Sequence, residues 1–153
     1  MSQWHPHQTV ATIVEKDNKF LLVEELIDGE TVINQPAGHL EQNESLIDAA
    51  IRETFEETAW KVRPCALLGV YKYTAPSNQV TYIRTCFIAE AIEHIPSSPL
   101  DQGIIRAIWL SEQELEQRQA QLRSPLVLSV IKDYLAGKQC SLEFIQDFDA
   151  TLS

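Results

Sequence analysis

Lysine and arginine are scarce in this chain of 153 residues, where 12 basic residues face 22 acidic ones and the formal net charge is -10. Binding to nucleic acid or to an anionic membrane surface without sequence preference depends on clustered Lys and Arg. The composition therefore argues against nucleic acid as a partner, and we expect no membrane partner. A small anionic ligand is still compatible with the charge, because an acidic site concentrates Mg²⁺ and the bound ion presents positive charge to phosphate.

Cysteine and long apolar segments are also in short supply. Cys65, Cys86 and Cys140 are an odd number without close spacing, which argues against a disulfide framework or a thiolate metal site and predicts buried or inert thiols. No segment approaches the ~20 apolar residues of a membrane span, and the polar start of the chain differs from a signal peptide. We therefore expect a cytoplasmic protein.

The length and the hydrophobic content of 44% predict one globular domain, residues 1–153. Runs of β-branched and aromatic residues predict strands at 9–14, 19–23, 31–33, 62–73, 79–91 and 104–110. Capping-box patterns and helical spacing of apolar residues predict helices at 45–58 and 111–122, and a third helix that starts at Ser124-Pro125 and stops at Gly137. This order indicates an α/β or α+β domain, with a mixed sheet covered by helices on both faces.

Residues 38–60 combine acidic and apolar side chains in one predicted helix and the loop before it. Glu53, Glu56 and Glu57 stand at i, i+3 and i+4, so their carboxylates share one face of the helix. Three carboxylates at this spacing repel one another unless a cation neutralises them. Their oxygens suit Mg²⁺ or Mn²⁺, which usually complete their coordination with water and substrate phosphate.

Two nearby residues fit such a site. Arg52 lies four residues after Asp48 and four before Glu56, and a guanidinium can hold carboxylates bidentately. Gly38 ends a short loop and allows the backbone to approach a ligand closely. Acidic amphipathic helices are nevertheless common, so composition alone leaves a solvated acidic face as the alternative.

The spacing of these residues resembles the Nudix box, G-x5-E-x7-R-E-U-x-E-E-x-G-U. Its charged positions are matched by Glu44, Arg52, Glu53, Glu56 and Glu57, following Gly38. The departures are Thr54, where a small or aliphatic residue is usual, and Ala59, where glycine is usual. A left-handed cap costs a non-glycine residue about 1 kcal/mol, so the second departure concerns stability more than chemistry.

The resemblance to the Nudix family implies an α/β/α sandwich and hydrolysis of a nucleoside diphosphate linked to another moiety. It implies Mg²⁺ as cofactor, with Mn²⁺ as an alternative, and attack of a metal-activated water on phosphorus. The implied metal ligands are Glu53, Glu56, Glu57 and the carbonyl of Gly38, and the implied catalytic residues are Glu53, Glu57, Arg52 and Glu44. Arg52 would orient the glutamates and Glu44 would support the loop, while the glutamate that deprotonates water differs between family members.

Flanking motifs resemble more narrowly the bacterial phosphatase NudJ subgroup of that family. They are Thr9-Val10-Ala11, residues 34–41, Arg84 with Phe87, and residues 123–127. This resemblance implies a low-specificity hydrolase of nucleoside tri- and diphosphates that also acts on the pyrophosphate of the thiamine pyrimidine precursor. Two alternatives stay open: an RNA 5′-end pyrophosphohydrolase, which the lack of a basic track opposes, and a non-catalytic nucleotide-binding regulatory domain, which the intact glutamates oppose.

Candidates for substrate binding lie outside the acidic helix. Arg84 could bind a terminal phosphate or serve as an ion-paired strand residue, and Gln35 could contact substrate or satisfy the backbone. Asp101 could be a site residue or a turn residue. Arg123 could be a site residue or a residue at the start of a helix. One or two aromatic residues of the set Trp4, Tyr71, Tyr73 and Tyr82 are expected to stack on a ring, whereas His5, His7 and His39 lack metal-ligand spacing. We expect a monomer, with a dimer left open.

Overall fold

A computed structural model describes residues 2–148 and contains seven strands and three α-helices in that range. The strands are β1 His7–Lys16, β2 Lys19–Ile27, β3 Glu30–Asn34, β4 Ala37–His39, β5 Trp60–Thr74, β6 Thr81–His94 and β7 Ile104–Leu110. The helices are α1 Leu46–Thr58, α2 Glu112–Gln117 and α3 Leu126–Leu135, with 3-10 turns at Gln119–Gln121 and Leu142–Phe144. None of the helices in the described part is long and apolar enough to cross a membrane.

The strands form one mixed sheet in the order β3-β2-β1-β6-β5, with β4 also paired to β1 and β7 to β2. β1 and β6 run parallel, with Thr9 opposite Arg84, and the other pairs are antiparallel. Asp17 and Asn18 join β1 to β2 with φ of 53° and 62°. Two left-handed residues in a two-residue loop match the twist of a hairpin, and Asp and Asn tolerate this conformation better than most residues.

Helices cover both faces of the sheet. On one face α1 packs Ala49 and Ala50 against Val10, Leu67 and Phe87. On the other face α3 belongs to the largest core cluster, whose members include Ala11, Ile13, Cys86, Ile88, Val127, Val130 and Ile131. The structure thus confirms the predicted α/β class with a mixed sheet between helical layers.

The face under α3 is only partly covered, and this positions the site. Side chains two residues apart on a strand point to the same face, so Thr9 and Arg84 share a face with Ala11 and Cys86. Ala11 and Cys86 lie in the core with α3, whereas Thr9 and Arg84 line an open cavity beside that helix.

Several predicted elements differ in detail from the structure. The helix predicted over 111–122 ends at Gln117, because only its first turn is stabilised by the Ser111–Glu114 capping box and Leu115 is its single buried residue. The segment before Gly38 was expected to be a loop, yet Ala37–His39 forms β4 by pairing with β1. β6 begins at Thr81 instead of residue 79, because Gln79 has a φ of 59°.

The expectation for the cysteines is only partly correct. Cys86 is buried, and burial raises the pKa of its thiol to about 12, so it is inert. Cys65 and Cys140 are exposed, and all three are free thiols.

Candidate active site

The orientation of α1 is determined at both ends and along its buried face. Ser45 caps the helix by accepting a 3.0 Å hydrogen bond from the Asp48 backbone N–H. Thr54, one of the two residues of an unusual type in the motif, is buried, and its hydroxyl lies 2.8 Å from the hydroxyl of Thr12 in β1. The other such residue, Ala59, ends the helix in the left-handed conformation, with a φ of 62°. This packing turns the carboxylate face of α1 towards β4 and the cavity.

Arg52 is the centre of a hydrogen-bond network on that face. It forms a bidentate pair with Glu44, through Nε at 2.6 Å and Nη2 at 3.0 Å. Its Nη1 donates to Glu53 at 2.8 Å and to Glu56 at 3.1 Å, and its Nη2 also donates to the carbonyl of His39. The hydrogen bonds with Glu44 and Glu53 raise the pKa of Arg52 further above its ordinary value, and Arg52 holds the pKa of Glu44 below its usual range. The bidentate partner of Arg52 is therefore Glu44, in the loop before α1, and not Asp48 in the first turn of the helix.

Three carboxylates converge beside this network. One oxygen from each of Glu53, Glu56 and Asp101 lies within 4.8 Å of the other two. Ligand oxygens on Mg²⁺ are about 3.0 Å apart when adjacent and about 4.2 Å apart when opposite, because each bond is about 2.1 Å long, so these oxygens would have to move closer together to share one ion. Burial, and to a smaller extent Glu56 and Asp101, raise the pKa of Glu53, whereas Arg52 opposes the rise.

Gly38 lies directly against this cluster. A Cβ built on Gly38 would lie 2.0 Å from the carboxyl carbon of Glu53, a distance that real side chains do not adopt. The absence of a side chain therefore allows the backbone of β4 to contact the carboxylates closely. Hard oxygen donors next to a half-buried glycine backbone fit a Mg²⁺ or Mn²⁺ ion.

Glu57 occupies a more buried position than the other glutamates. Its Oε1 accepts a 2.9 Å hydrogen bond from the backbone N–H of Ala37. Burial raises the pKa of Glu57 to about 8, with smaller contributions from the charges of Glu25, Glu53 and Asp101, while the Ala37 hydrogen bond opposes the rise. A buried carboxylate surrounded by other acids is destabilised in its charged form unless a cation binds.

Asp101 was left open between a turn residue and a site residue, and the structure brings it to the carboxylate cluster. Its backbone N–H donates to the carbonyl of Glu56 at 3.0 Å, which fixes the loop before β7 against the C-terminal half of α1. The sequence separation of 45 residues leaves no periodic signal for this contact. Only its position shortly before a strand singled it out.

The cavity beside these residues has a volume of about 680 Å³. Gly38, Arg52, Glu53 and Glu57 line one part of it. Other lining residues come from the sheet, the β5–β6 hairpin and the start of α3, and include Thr9, Tyr73, residues 75–78, Tyr82, Arg84, Arg123, Ser124 and Leu126. The volume is in the range of cavities that bind small molecules.

Of the two predicted substrate-binding residues, Arg84 lines the cavity and Gln35 does not. Nη1 of Arg84 donates to Oε1 of Gln35 at 3.0 Å. Gln35 is fully buried, so it lies behind Arg84 and has no exposed surface for a direct contact with substrate. Burial lowers the pKa of Arg84.

The other candidates fall into two groups. Tyr73 and Tyr82 line the cavity together with His39, whose Nε2 lies 3.0 Å from Nδ1 of His7. Burial and the neighbouring His7 lower the pKa of His39.

Arg123 also lines the cavity, where its guanidinium donates to the buried Glu25 at 2.7 Å. Tyr71 instead donates to Asp133 of α3, and Trp4 is exposed outside the cavity lining.

Comparisons with known proteins agree with this geometry. The family model described as NUDIX domain matches residues 5–129. Phosphatase NudJ from Escherichia coli strain K12 is 41% identical over 144 residues, which cover 94% of this chain and 93% of that protein. A solved NUDIX hydrolase from Nitrosomonas europaea has a TM-score of 0.93 and 44% identity, covering 96% of this chain and 100% of the other. Another from the same organism has a TM-score of 0.69 and 26% identity, covering 90% of this chain and 74% of that one.

Proposed function

The chain belongs to the Nudix hydrolase family, whose members act on phosphoric anhydrides, and we propose that it is a Mg²⁺-dependent pyrophosphohydrolase or phosphatase of low specificity. Its proposed substrates are nucleoside tri- and diphosphates and the pyrophosphate of the thiamine pyrimidine precursor, with Mn²⁺ as an alternative ion. The observation that carries the proposal is the convergence of Glu53, Glu56 and Asp101 next to Gly38. Of these residues, Glu53 and Gly38 line a cavity of about 680 Å³. The 41% identity to a protein named a phosphatase supports the substrate class.

The residues that would hold the ion are Glu53, Glu56 and Glu57 with the carbonyl of Gly38, and Asp101 is added to this set by its distance. Bound Mg²⁺ would neutralise phosphate oxygens and lower the pKa of a coordinated water. Burial raises the pKa values of Glu53 and Glu57 in the metal-free protein, and repulsion from neighbouring carboxylates adds to the rise. The arrangement therefore favours cation binding.

The proton of the attacking water would pass to a carboxylate of α1. Glu53 and Glu57 both line the cavity and are the candidates. Oε1 of Glu57 accepts from the backbone N–H of Ala37, and Oε2 would be the oxygen that takes the proton. A covalent nucleophile is not required, because phosphoryl transfer depends mainly on positioning and charge neutralisation.

Arg52 and Glu44 would act by positioning. Arg52 donates to Glu53 and Glu56 with the same guanidinium that is held bidentately by Glu44. Glu44 Oε1 also accepts from the backbone N–H of Glu41, so it ties the loop before α1 to the network. Together they restrict the rotamers of the carboxylates.

The side chains that line the cavity favour a small phosphorylated substrate over the 5′ end of an RNA. The basic side chains among them are Arg52, Arg84 and Arg123, and Arg52 and Arg123 are already paired with carboxylates.

The proposal also includes a single domain of residues 1–153, a monomeric state and a cytoplasmic location. These parts rest on length, charge and composition, and light scattering of the purified protein tests the monomer.

A substrate panel tests the proposed function. Phosphate release is measured for nucleoside mono-, di- and triphosphates and for the pyrimidine pyrophosphate, with Mg²⁺, with Mn²⁺ and with EDTA. The expected result is turnover of several di- and triphosphates that EDTA abolishes. Nucleotide binding by calorimetry without any product after long incubation would support a regulatory domain instead, and a preference for triphosphorylated RNA over free nucleotide would support the RNA alternative.

A further inference from the structure

Three of the four histidines of the chain lie side by side, although they come from separate segments. His39, at the end of β4, lines the cavity, and its ring centroid is 5.1 Å from that of His7 in β1. His5 stacks on His7 with 6.4 Å between ring centroids and 23° between ring planes. The spacing of these residues along the chain does not predict the group, which forms because β1 and β4 pair with Thr9 opposite His39.

Two ring nitrogens of this group are close together. Nδ1 of His7 lies 3.0 Å from Nε2 of His39. A Zn–N bond is about 2.0–2.1 Å long, so two nitrogens that share an ion are about 2.9 Å apart at a right angle and about 3.3 Å apart in a tetrahedron. The observed separation falls within this range. The two nitrogens are therefore already spaced as a pair of metal ligands.

The chemistry of the two rings also suits a metal ion. A neutral imidazole has one N–H and one lone pair, so without an ion one of the two nitrogens donates a proton to the other. If each ring carries its proton on its other nitrogen, both close nitrogens present lone pairs, the form in which histidine binds metals. A divalent ion can then take the place of the shared proton. Imidazole suits Zn²⁺, Cu²⁺ and Ni²⁺, whereas Mg²⁺ prefers oxygen ligands.

Strand β4 separates this pair from the carboxylate cluster. His39 is opposite Thr9, which lines the cavity on the face of the sheet that α3 covers in part. Gly38 is opposite Val10, on the face that packs against α1, and a Cβ on Gly38 would meet Glu53. Neighbouring side chains on a strand point to opposite faces, so an ion on His39 and an ion on Glu53 would occupy different sites.

We propose that His7 and His39 form a metal site distinct from the carboxylate cluster, which binds a transition-metal ion such as Zn²⁺ and through it inhibits the enzyme. Two protein ligands leave the remaining positions on the ion to water. His39 lines the cavity beside Tyr82, with 6.3 Å between their ring centroids. A hydrated ion on His39 takes up space at this wall and obstructs a substrate in the cavity. The inhibition rests on the proposed function, whereas the binding of the ion does not.

Calorimetric titration with Zn²⁺ in excess Mg²⁺ tests the site without turnover, because Mg²⁺ competes for the carboxylates and not for the imidazoles. His7→Phe keeps a ring against Tyr82, whose centroid is 5.6 Å from that of His7, but removes the nitrogen ligand. The variant should weaken Zn²⁺ binding at least about tenfold, since loss of a residue that only orients a metal ligand already costs about 10- to 100-fold. His39→Phe should have the same effect.

His94→Phe is the matched control, since His94 is exposed, stacks on Trp60 at 4.8 Å and lies outside the cavity lining. Its Zn²⁺ affinity should equal that of the wild type. Electron paramagnetic resonance with substoichiometric Cu²⁺ reports the ligands directly. Splitting from two nitrogens is expected in the wild type and in His94→Phe, and from fewer in His7→Phe. Thermal melting confirms that each variant is folded, and His39→Phe provides the test if His7→Phe is not.

Zn²⁺ should also lower Mg²⁺-dependent phosphate release by the wild type and by His94→Phe, and should affect His7→Phe less. Equal Zn²⁺ affinity in the wild type and the folded variants of His7 and His39 overturns the metal site. Weaker binding in His7→Phe with unchanged inhibition retains the site and rejects its inhibitory role, because Zn²⁺ would then act at the carboxylates. Histidine-dependent Zn²⁺ binding by a protein that hydrolyses no substrate would retain the site and reject the proposed function.

Discussion

The carboxylate of Glu53 occupies the space that a side chain on Gly38 would need, with 2.0 Å between its carboxyl carbon and a Cβ built on Gly38. Strand β4 and helix α1 are therefore in contact at the centre of the carboxylate cluster. This contact brings the backbone of one element against the carboxylate face of the other. It also explains why a strand glycine and a helix glutamate that are 15 residues apart lie side by side.

Gly38→Ala should remove most of the activity with a limited effect on folding. The added methyl group must displace the flexible end of Glu53, and misplacement of a catalytic group by about 1 Å can cost about 100-fold in rate. Overpacking of this kind costs about 1–3 kcal/mol of stability. Phosphate release and urea unfolding measure the two effects.

Gly69→Ala provides the control for that substitution, because a Cβ there would lie 3.4 Å from the nearest atom, on the Tyr71 ring. It should retain nearly full activity. Equal activities of the two alanine variants would show that the contact between Gly38 and Glu53 has no role in the site.

Arg52→Lys should lower both the apparent Mg²⁺ affinity and the rate. Lysine keeps the charge but cannot bind Glu44 bidentately while it also donates to Glu53 and Glu56. Loss of a residue that orients metal ligands typically costs about 10- to 100-fold in affinity or activity. The Mg²⁺ concentration at half-maximal rate is the measurement, and a wild-type value in the variant would contradict the positioning role.

Asp101→Asn should raise the Mg²⁺ concentration needed for half-maximal rate by about tenfold or more. The substitution removes one of three carboxylates whose oxygens lie within 4.8 Å of one another, while the amide keeps the size of the side chain. Asp17→Asn removes an equal charge from the β1–β2 turn, where Asn is compatible with the φ of 53°. If both variants require the same Mg²⁺ concentration, Asp101 does not contribute to ion binding.

Glu57 should make the metal-free protein less stable as pH rises. Its pKa in the folded protein is about 8, compared with the ordinary value of 4.5. Between these values the unfolded chain has released the proton and the folded protein still holds it, so unfolding becomes easier with pH, by up to about 1.4 kcal/mol per pH unit. Below 4.5 both states are protonated, and above 8 the destabilisation is complete.

Urea unfolding in EDTA at several pH values, for the wild type and Glu57→Gln, measures this effect. The stability difference in favour of Glu57→Gln should grow across the interval and then level off. Mg²⁺ should reduce or reverse the difference, because the ion binds the ionised carboxylate. A parallel pH dependence in the two proteins would contradict the burial of an ionisable Glu57.

Local patterns predicted the parts of the site that lie within one element. Glu53, Glu56 and Glu57 are on one helix, whose period fixes their relative directions whatever the helix packs against. The cap at Ser45 and the buried face through Thr54 follow from short-range spacing in the same way. The family and the α/β class with a mixed sheet were predicted correctly on this basis.

Contacts between distant segments were less accessible from the sequence. Asp101 reaches the cluster because the loop before β7 is held against α1 by the backbone of Glu56, which no local pattern encodes. Arg52 had two possible carboxylates at suitable helical spacing, yet its bidentate partner is Glu44 in the preceding loop. The buried position of Gln35 depends on how β1 and β6 pack around it, so its neighbours in sequence could not distinguish a ligand contact from a supporting one.

The most direct measurement of the central claim is Mg²⁺-dependent phosphate release from a nucleoside diphosphate by the wild type and by Glu57→Gln. Glu93→Gln is the control, since Glu93 is exposed and pairs with Lys61 away from the cavity. Turnover should stop in EDTA, fall by at least about 100-fold in Glu57→Gln with the fold intact, and persist in Glu93→Gln. Undiminished turnover in Glu57→Gln, or turnover that EDTA does not affect, would contradict the assignment of the carboxylate cluster as a metal-dependent hydrolytic site.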